Sequence, residues 1–241
     1  MRVAIFDCPM GIAGDMTLGA FLDAGMPFEV LKKEIAKLGL HGYKLNLREV
    51  RSGAFRAKKF SVEVFHHASH HHTPLSEIEK KIRDSKLAVP VKKRAVAIFR
   101  NLGKAEARVH GVGIQKVHFH EIGAVDSLID IVGAAVCFDY LKIRKAYVRH
   151  IAVGRGIQKG SHGAMPIPVP GAYELLKGFF LTQALHEHEM VTPTGAAILT
   201  TCCEKTQKIP RVKIEAIGYG AGDKKFKGKP GLLRVSLASA A

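Results

Sequence analysis

Apolar residues recur along this chain at two periods, and the alternation between them predicts strands interleaved with helices. Val3 to Phe6 is a short apolar run closed by Asp7, as in a buried strand. Gly11 and Gly14 mark a turn, and Met16, Leu18, Phe21 and Leu22 place the first helix after it. A second helix, Phe28 to Leu38, is expected to stop at Gly39, since glycine ends helices in a left-handed conformation. Tyr43 to Val50 and Phe55 to Phe65 read as strands, the second alternating through Phe60, Val62 and Val64. Ser76 to Ile82 and Val91 to Ala107 read as helices, the latter long and basic, with Asp84–Pro90 as connector. From Leu128 the chain is apolar nearly all round (Ile129, Ile131, Val132, Val136, Phe138, Leu141), which marks a helix buried on every side.

The second half continues in the same manner. Ala146 to Val153 reads as a strand, and Gly154, Gly156 and Gly160 as part of a loop. Pro166, Pro168 and Pro170 hold the chain extended until a helix near Pro170, where proline suits the first turn. Phe179 to Leu185 looks like a strand, and TPTGA (Thr192 to Ala196) opens a short helix ended by Cys202 and Cys203. Val212 to Ile217 and Leu232 to Leu237 are the last strands, and the tail beyond them is expected to fray. With no internal repeat and no linker, the expectation is a single α/β domain, a mixed sheet flanked by helices.

Composition narrows this picture only in part. The chain has 241 residues, 47% of them hydrophobic and 24% charged, ordinary values with ample material for a core. No apolar run is long enough for a transmembrane helix. Asp7 interrupts the N-terminal MRVAIFDC after four apolar residues, so that segment reads as a strand and not as a signal peptide. Four cysteines, two of them adjacent, do not resemble a disulfide framework, and the expected location is cytoplasmic. The net charge of +16 favours anionic partners. Aromatics are few, Trp is absent, and no RNA-recognition or zinc-finger signature is present, so nucleic acid is not the expected partner.

The candidate chemistry centres on KVHFHEIGAVDSLIDIVGAA, Lys116 to Ala135. On an extended strand, His118 and His120 share one face and Phe119 takes the other. Glu121 follows directly, then a Gly-Ala turn, Asp126 and Asp130; imidazoles with carboxylates suit a first-row metal ion. Two structural readings stay open, His118 as a hydrogen-bonded core histidine and Asp130 as half of a capping box with Ser127. A second cluster, HHASHHHT, carries His66, His67, His70, His71 and His72 between a strand and a helix. Its concentration of neutral imidazoles makes it a metal-collecting segment.

Other turns carry candidate binding groups. The strand–glycine turn–helix at Gly11 and Gly14 presents backbone N–H groups to an anion, but no P-loop lysine follows. Asp7 and Asp15 would hold a metal ion, or bridge one to a phosphate; Asp15 equally suits a helix cap. His162, in a Gly-rich turn, is a possible ligand or phosphate contact. Thr192 and Thr194 sit at a helix start that could cradle an anion, with an ordinary threonine cap as the other reading. His186 and His188, in HEHE, form a further alternating pair.

Taken together, FDCPMGIAGDM, the internal His tract, VHFHEIGAVDSLIDIVGAA, SHGAMPIPVPGAYELLKG, MVTPTGAAIL and IGYGAGDKKF resemble, in order and spacing, the LarC nickel-insertion proteins. The resemblance runs from Met1 nearly to the end. It implies a nickel chelatase that places Ni(II) in pyridinium-3,5-bisthiocarboxylate mononucleotide, completing the nickel-pincer cofactor of lactate racemase in a CTP-consuming reaction. It further implies apo lactate racemase as a partner, with a homo-oligomer compatible. The family's long form continues into a C-terminal domain credited with CTP binding, together with a divalent ion. This chain stops shortly after GYGAG, so residues 1–241 read as the N-terminal nickel-binding domain, with a separate C-terminal half expected as partner. By the geometry of the HFHE segment rather than by the resemblance, His118, His120 and Glu121 are expected to form the transfer site, with the five tract histidines as a loading loop. Glu121 or Asp126 is the candidate base for the ring C–H proton. Two other classes fit the same residues: a non-enzymatic nickel store or metallochaperone, and a metal-dependent phosphohydrolase using Asp7 and the HFHE groups.

Overall fold

The computed structural model describes residues 1–65, 73–119, 125–160, 163–206, 208–224, 226 and 229–240. The alternating segments form strands β1 (Arg2–Cys8), β2 (Tyr43–Ser52) and β3 (Phe55–Val64), a two-residue β4 (Thr73–Pro74) and an equally short β5 (His118–Phe119). They continue as β6 (Lys145–Val153), β7 (Ile157–Gly160), β8 (Gly163–Pro166), β9 (Thr182–Gln183), β10 (Cys203–Glu204), β11 (Val212–Ala221) and β12 (Leu232–Ala240). The helices are α1 (Gly14–Asp23), α2 (Phe28–Ala36), α3 (Leu75–Asp84), α4 (Val89–His110), α5 (Val125–Tyr140), α6 (Pro170–Leu175) and α7 (Pro193–Cys202).

The main sheet has eight strands in the order β10-β6-β1-β12-β11-β3-β2, with β9 pairing alongside β6. β10, β6 and β1 are mutually parallel, β12 is antiparallel to both β1 and β11, and β3 is parallel to β11. The C-terminal ends of β1, β6, β11 and β3 therefore meet one edge of the sheet. In open α/β sheets that edge is where ligands bind.

Helices gather on one face of this sheet. Within β1 the pleat sends Ala4, Phe6 and Cys8 into the large helix-covered core, whereas Val3 joins Tyr147 and Ala238 in a small cluster on the opposite face. Phe6, Phe21 of α1 and Phe138 of α5 form an aromatic triangle with centroids 5.8, 5.5 and 6.3 Å apart. Such pairs add about 0.5–1.5 kcal/mol each beyond their buried area. The apolar-all-round pattern predicted for the central helix is borne out, because α5 lies between α1, α2, α4 and α7. α4 ends at Gly111, whose left-handed φ of 64° lets its N–H reach the last turn.

Three expectations change. The segment around Gly160 is not an open loop but part of a hairpin, Ile157 pairing with Pro166 and Gly160 with Gly163. The strand expected over Phe179 to Leu185 shrinks to Thr182–Gln183, held by Ala152 and Val153 of β6. Residues 238–240 do not fray but continue β12: Ser239 pairs with both Arg2 and Lys213, since β12 is held between two partners.

Candidate functional site

At the C-terminal edge of the sheet the β1–α1 turn is stitched to the segment before α7. Ile12 N–H donates to Met190 O at 2.9 Å, and Thr192 N–H donates to Ile12 O at 3.0 Å. Gly11 makes this possible: its φ is +79°, and a Cβ there would lie 1.9 Å from Met190 O. The structure thus gives Gly11 a packing role against Met190. Gly14 also packs closely, for its missing Cβ leaves room for the Asp130 carboxylate, which would otherwise be 2.3 Å away.

That carboxylate settles one of the open readings. Asp130 accepts a hydrogen bond from the Asp15 backbone N–H, so it serves the start of α1, across the helix interface, rather than α5's own first turn. At the start of α5 the acceptor is Asp126, whose Oδ1 takes the Ser127 N–H at 2.7 Å. Burial, then the neighbouring Asp15 and Asp126, push the Asp130 carboxyl well above the usual carboxylate range. Its Oδ1 is buried without a hydrogen-bond partner among the described residues. Asp15 is pushed up to about 6, chiefly by burial and partly by Asp223.

Asp7 is not brought to this group. It points to the face of the sheet away from the helices and is ion-paired with Arg234 of β12. Thr192 is the threonine cap of α7, its Oγ1 accepting the Gly195 N–H at 3.1 Å. Thr194 is buried within α7, out of reach of a ligand at the surface.

His118 is exposed on β5, while Phe119 is buried and its ring lies 6.3 Å from that of Phe99. The expected alternation of an outward imidazole and an inward ring therefore holds at these two positions. β4 pairs antiparallel with β5, Thr73 opposite Phe119 and Pro74 opposite His118. Thr73, which follows the His tract, and Phe119, within the HFHE segment, therefore lie opposite each other on paired strands. His66, His67, His70, His71, His72, His120, Glu121 and His162 lie outside the described residues. Among the described residues no three His, Cys, Asp or Glu side chains are grouped to hold a metal ion. The four free cysteines supply no ready ligand, because burial raises the pKa of each and keeps the thiols protonated, Cys202 to about 12.

Sequence reasoning missed a cleft of about 170 Å³ on this same edge. The β1–α1 turn contributes Met10 and Ala13, the first turn of α1 adds Asp15 and Met16, the segment before α7 adds Glu189, Met190 and Thr192, and the β11–β12 connection adds Asp223, Lys224 and Phe226. Lys224 Nζ donates to Glu189 O at 2.6 Å, and Lys59 of β3 pairs with Asp223. A larger open groove of about 540 Å³ lies between the end of α2 and α3, lined by Lys37, Lys80, Lys81 and Lys86 with Glu77 and Asp84. None of the quoted motifs lines it, and Lys37 and Lys80 are already paired with Glu34 and Asp84. The chemistry gathers at the cleft.

The chain matches a family model described as nickel insertion protein over residues 4–241. It is 45% identical over 243 residues to a protein of Geotalea daltonii provisionally named a nickel insertion protein, covering 100% of this chain and 62% of that one. It is 42% identical over 241 residues to a Desulfitobacterium hafniense protein named pyridinium-3,5-bisthiocarboxylic acid mononucleotide nickel insertion protein, covering 100% and 59%. A Geobacillus kaustophilus protein of the same name is 41% identical over 243 residues, with 98% and 59% covered. The chain spans about three fifths of the length of these relatives. No solved structure matches it.

Proposed function

The chain belongs to the nickel insertion protein family, and from that premise we propose that it handles nickel for insertion into pyridinium-3,5-bisthiocarboxylic acid mononucleotide, the substrate named for its relatives. The product would be the nickel-pincer cofactor of lactate racemase, and the reaction class is that of a nickel chelatase. One observation carries the reading. The β4–β5 pairing joins the ends of two histidine-rich stretches, and α5 begins six residues after Phe119 with carboxylates beside the β1–α1 turn.

On this reading the five tract histidines collect Ni(II) in a loose set of imidazoles, and His118, His120 and Glu121 hold the ion to be transferred. Asp15 lines the neighbouring cleft together with Asp223, which is paired with Lys59. In the product two sulfurs and one ring carbon bind nickel, so one C–H bond must break. The carbon keeps the electron pair and the proton leaves to a base, Glu121 or the exposed Asp126, with no net oxidation. CTP with its divalent ion would enter through a separate C-terminal half.

Calorimetric titration with nickel tests the division of labour. Replacing His66, His67, His70, His71 and His72 with Asn should lower the stoichiometry and leave the tighter site. Adding His118→Ala and His120→Ala should remove that site as well. Loss of all binding in the tract variant alone would contradict a preorganised transfer site.

A further inference from the structure

We propose that the cleft between the β1–α1 turn, Met190 and Phe226 binds the pyridinium ring of the mononucleotide, stacked on Phe226 and flanked by thioethers. The proposal rests on the nickel-insertion reading and adds to it a place for the organic half of the substrate.

The cleft wall is soft and largely apolar. Met10, Met16 and Met190 are each buried to within a few per cent, and Met10 and Met190 form one cluster with Phe226 packed against it. The Phe226 ring is held in place from several sides. The His186 ring meets it edge-on with centroids 5.0 Å apart, His188 lies at 6.4 Å, and a backbone bridge ties Phe226 to Lys229. Gly231 leaves the ring its space, since a Cβ there would sit 2.8 Å from Cδ2. A half-buried aromatic face beside thioethers is a platform for a flat, polarisable ring.

The rim supplies the matching charge. A pyridinium ring bears a permanent positive charge on a flat frame, which favours an aromatic face and a carboxylate nearby. Asp15 and Asp223 line the cleft, and Asp223, itself paired with Lys59, lies close enough to disfavour ionisation of Asp15. These carboxylates argue against a phosphate in the cleft itself. Lys224, whose Nζ donates to the Glu189 carbonyl oxygen, places a positive charge at the rim for a thiocarboxylate. Size agrees with a ring subsite: about 170 Å³ is below the roughly 300 Å³ at which pockets for whole drug-sized ligands begin. The ribose and phosphate would extend outward along the rim.

The chain contains no Trp, which gives a direct test. In F226W the introduced indole is the only one, and its emission should be quenched saturably by pyridinium-3,5-bisthiocarboxylic acid mononucleotide. Phe226→Leu, which keeps an apolar side chain and removes the π face, should weaken that nucleotide at least tenfold in calorimetry, with nickel stoichiometry unchanged. Unaltered affinity in Phe226→Leu, or absence of quenching in a folded F226W, overturns the subsite. If wild-type chain still binds nickel at its tighter site and binds the mononucleotide in that case, the nickel-insertion reading stands without it. If wild-type chain does not bind the mononucleotide at all, both fall.

Discussion

Asp15 shows how a single carboxylate reports on the site. Its pKa in the folded chain, about 6, lies above the ordinary value of 3.8, mainly because burial disfavours the charged form. The folded state therefore holds the proton more tightly than the unfolded chain does. As pH rises from about 4 to about 6 the unfolded chain gives up this proton first, and stability is lost across that window. Above pH 6 the accumulated cost is of the order of 3 kcal/mol. Asp130, raised for the same reason and by Asp15 itself, adds to it in the same direction. Asp15→Asn should therefore be more stable than the parent at pH 7.5, with the advantage shrinking toward pH 4. Denaturant unfolding of both proteins across this range measures it, and a difference that does not change with pH would contradict the assignment.

At the scale of elements, the contact between α1 and α5 depends on Gly14. Adding a methyl group there would drive it into the Asp130 carboxylate, and overpacking of this kind costs about 1–3 kcal/mol. Gly14→Ala should lose stability in that range. Because the clash involves one partner, combining it with Asp130→Ala should recover part of the loss, a coupling of at least about 0.5 kcal/mol in a double-mutant cycle. Additive effects would mean that the helices adjust by another route. Elements of this sort were legible in the sequence where a single face is buried: β1, β3, α1 and α5 follow from their own periodicity. β12 was misjudged at its end because its order comes from β1 and β11, strands distant in sequence. The β7–β8 hairpin was hidden by its glycines and prolines, which locally signal a loop.

Over the whole molecule, the candidate site divides in the same way. The histidine clusters announce themselves by residue type and spacing. Asp130, read in sequence as a metal-site carboxylate or as a cap for α5, serves the start of α1 instead, and Asp7, next to a glycine turn, is committed to Arg234. The cleft was illegible, because Met10, Met190 and Phe226 stand in three separate motifs and meet only once the sheet order brings three connections to one edge. The net charge of +16 is spread over this frame and suits an anionic nucleotide.

The most direct measurement of nickel insertion mixes the purified chain with Ni(II), pyridinium-3,5-bisthiocarboxylic acid mononucleotide and CTP, with and without a separately produced C-terminal half of a longer relative. Mass spectrometry of the nucleotide then reads whether a nickel ion has replaced a ring proton. The account predicts the nickel-bearing nucleotide in the complete mixture and its loss when the chain, or the C-terminal half, is left out. Recovery of the nucleotide unchanged from the complete mixture would contradict it.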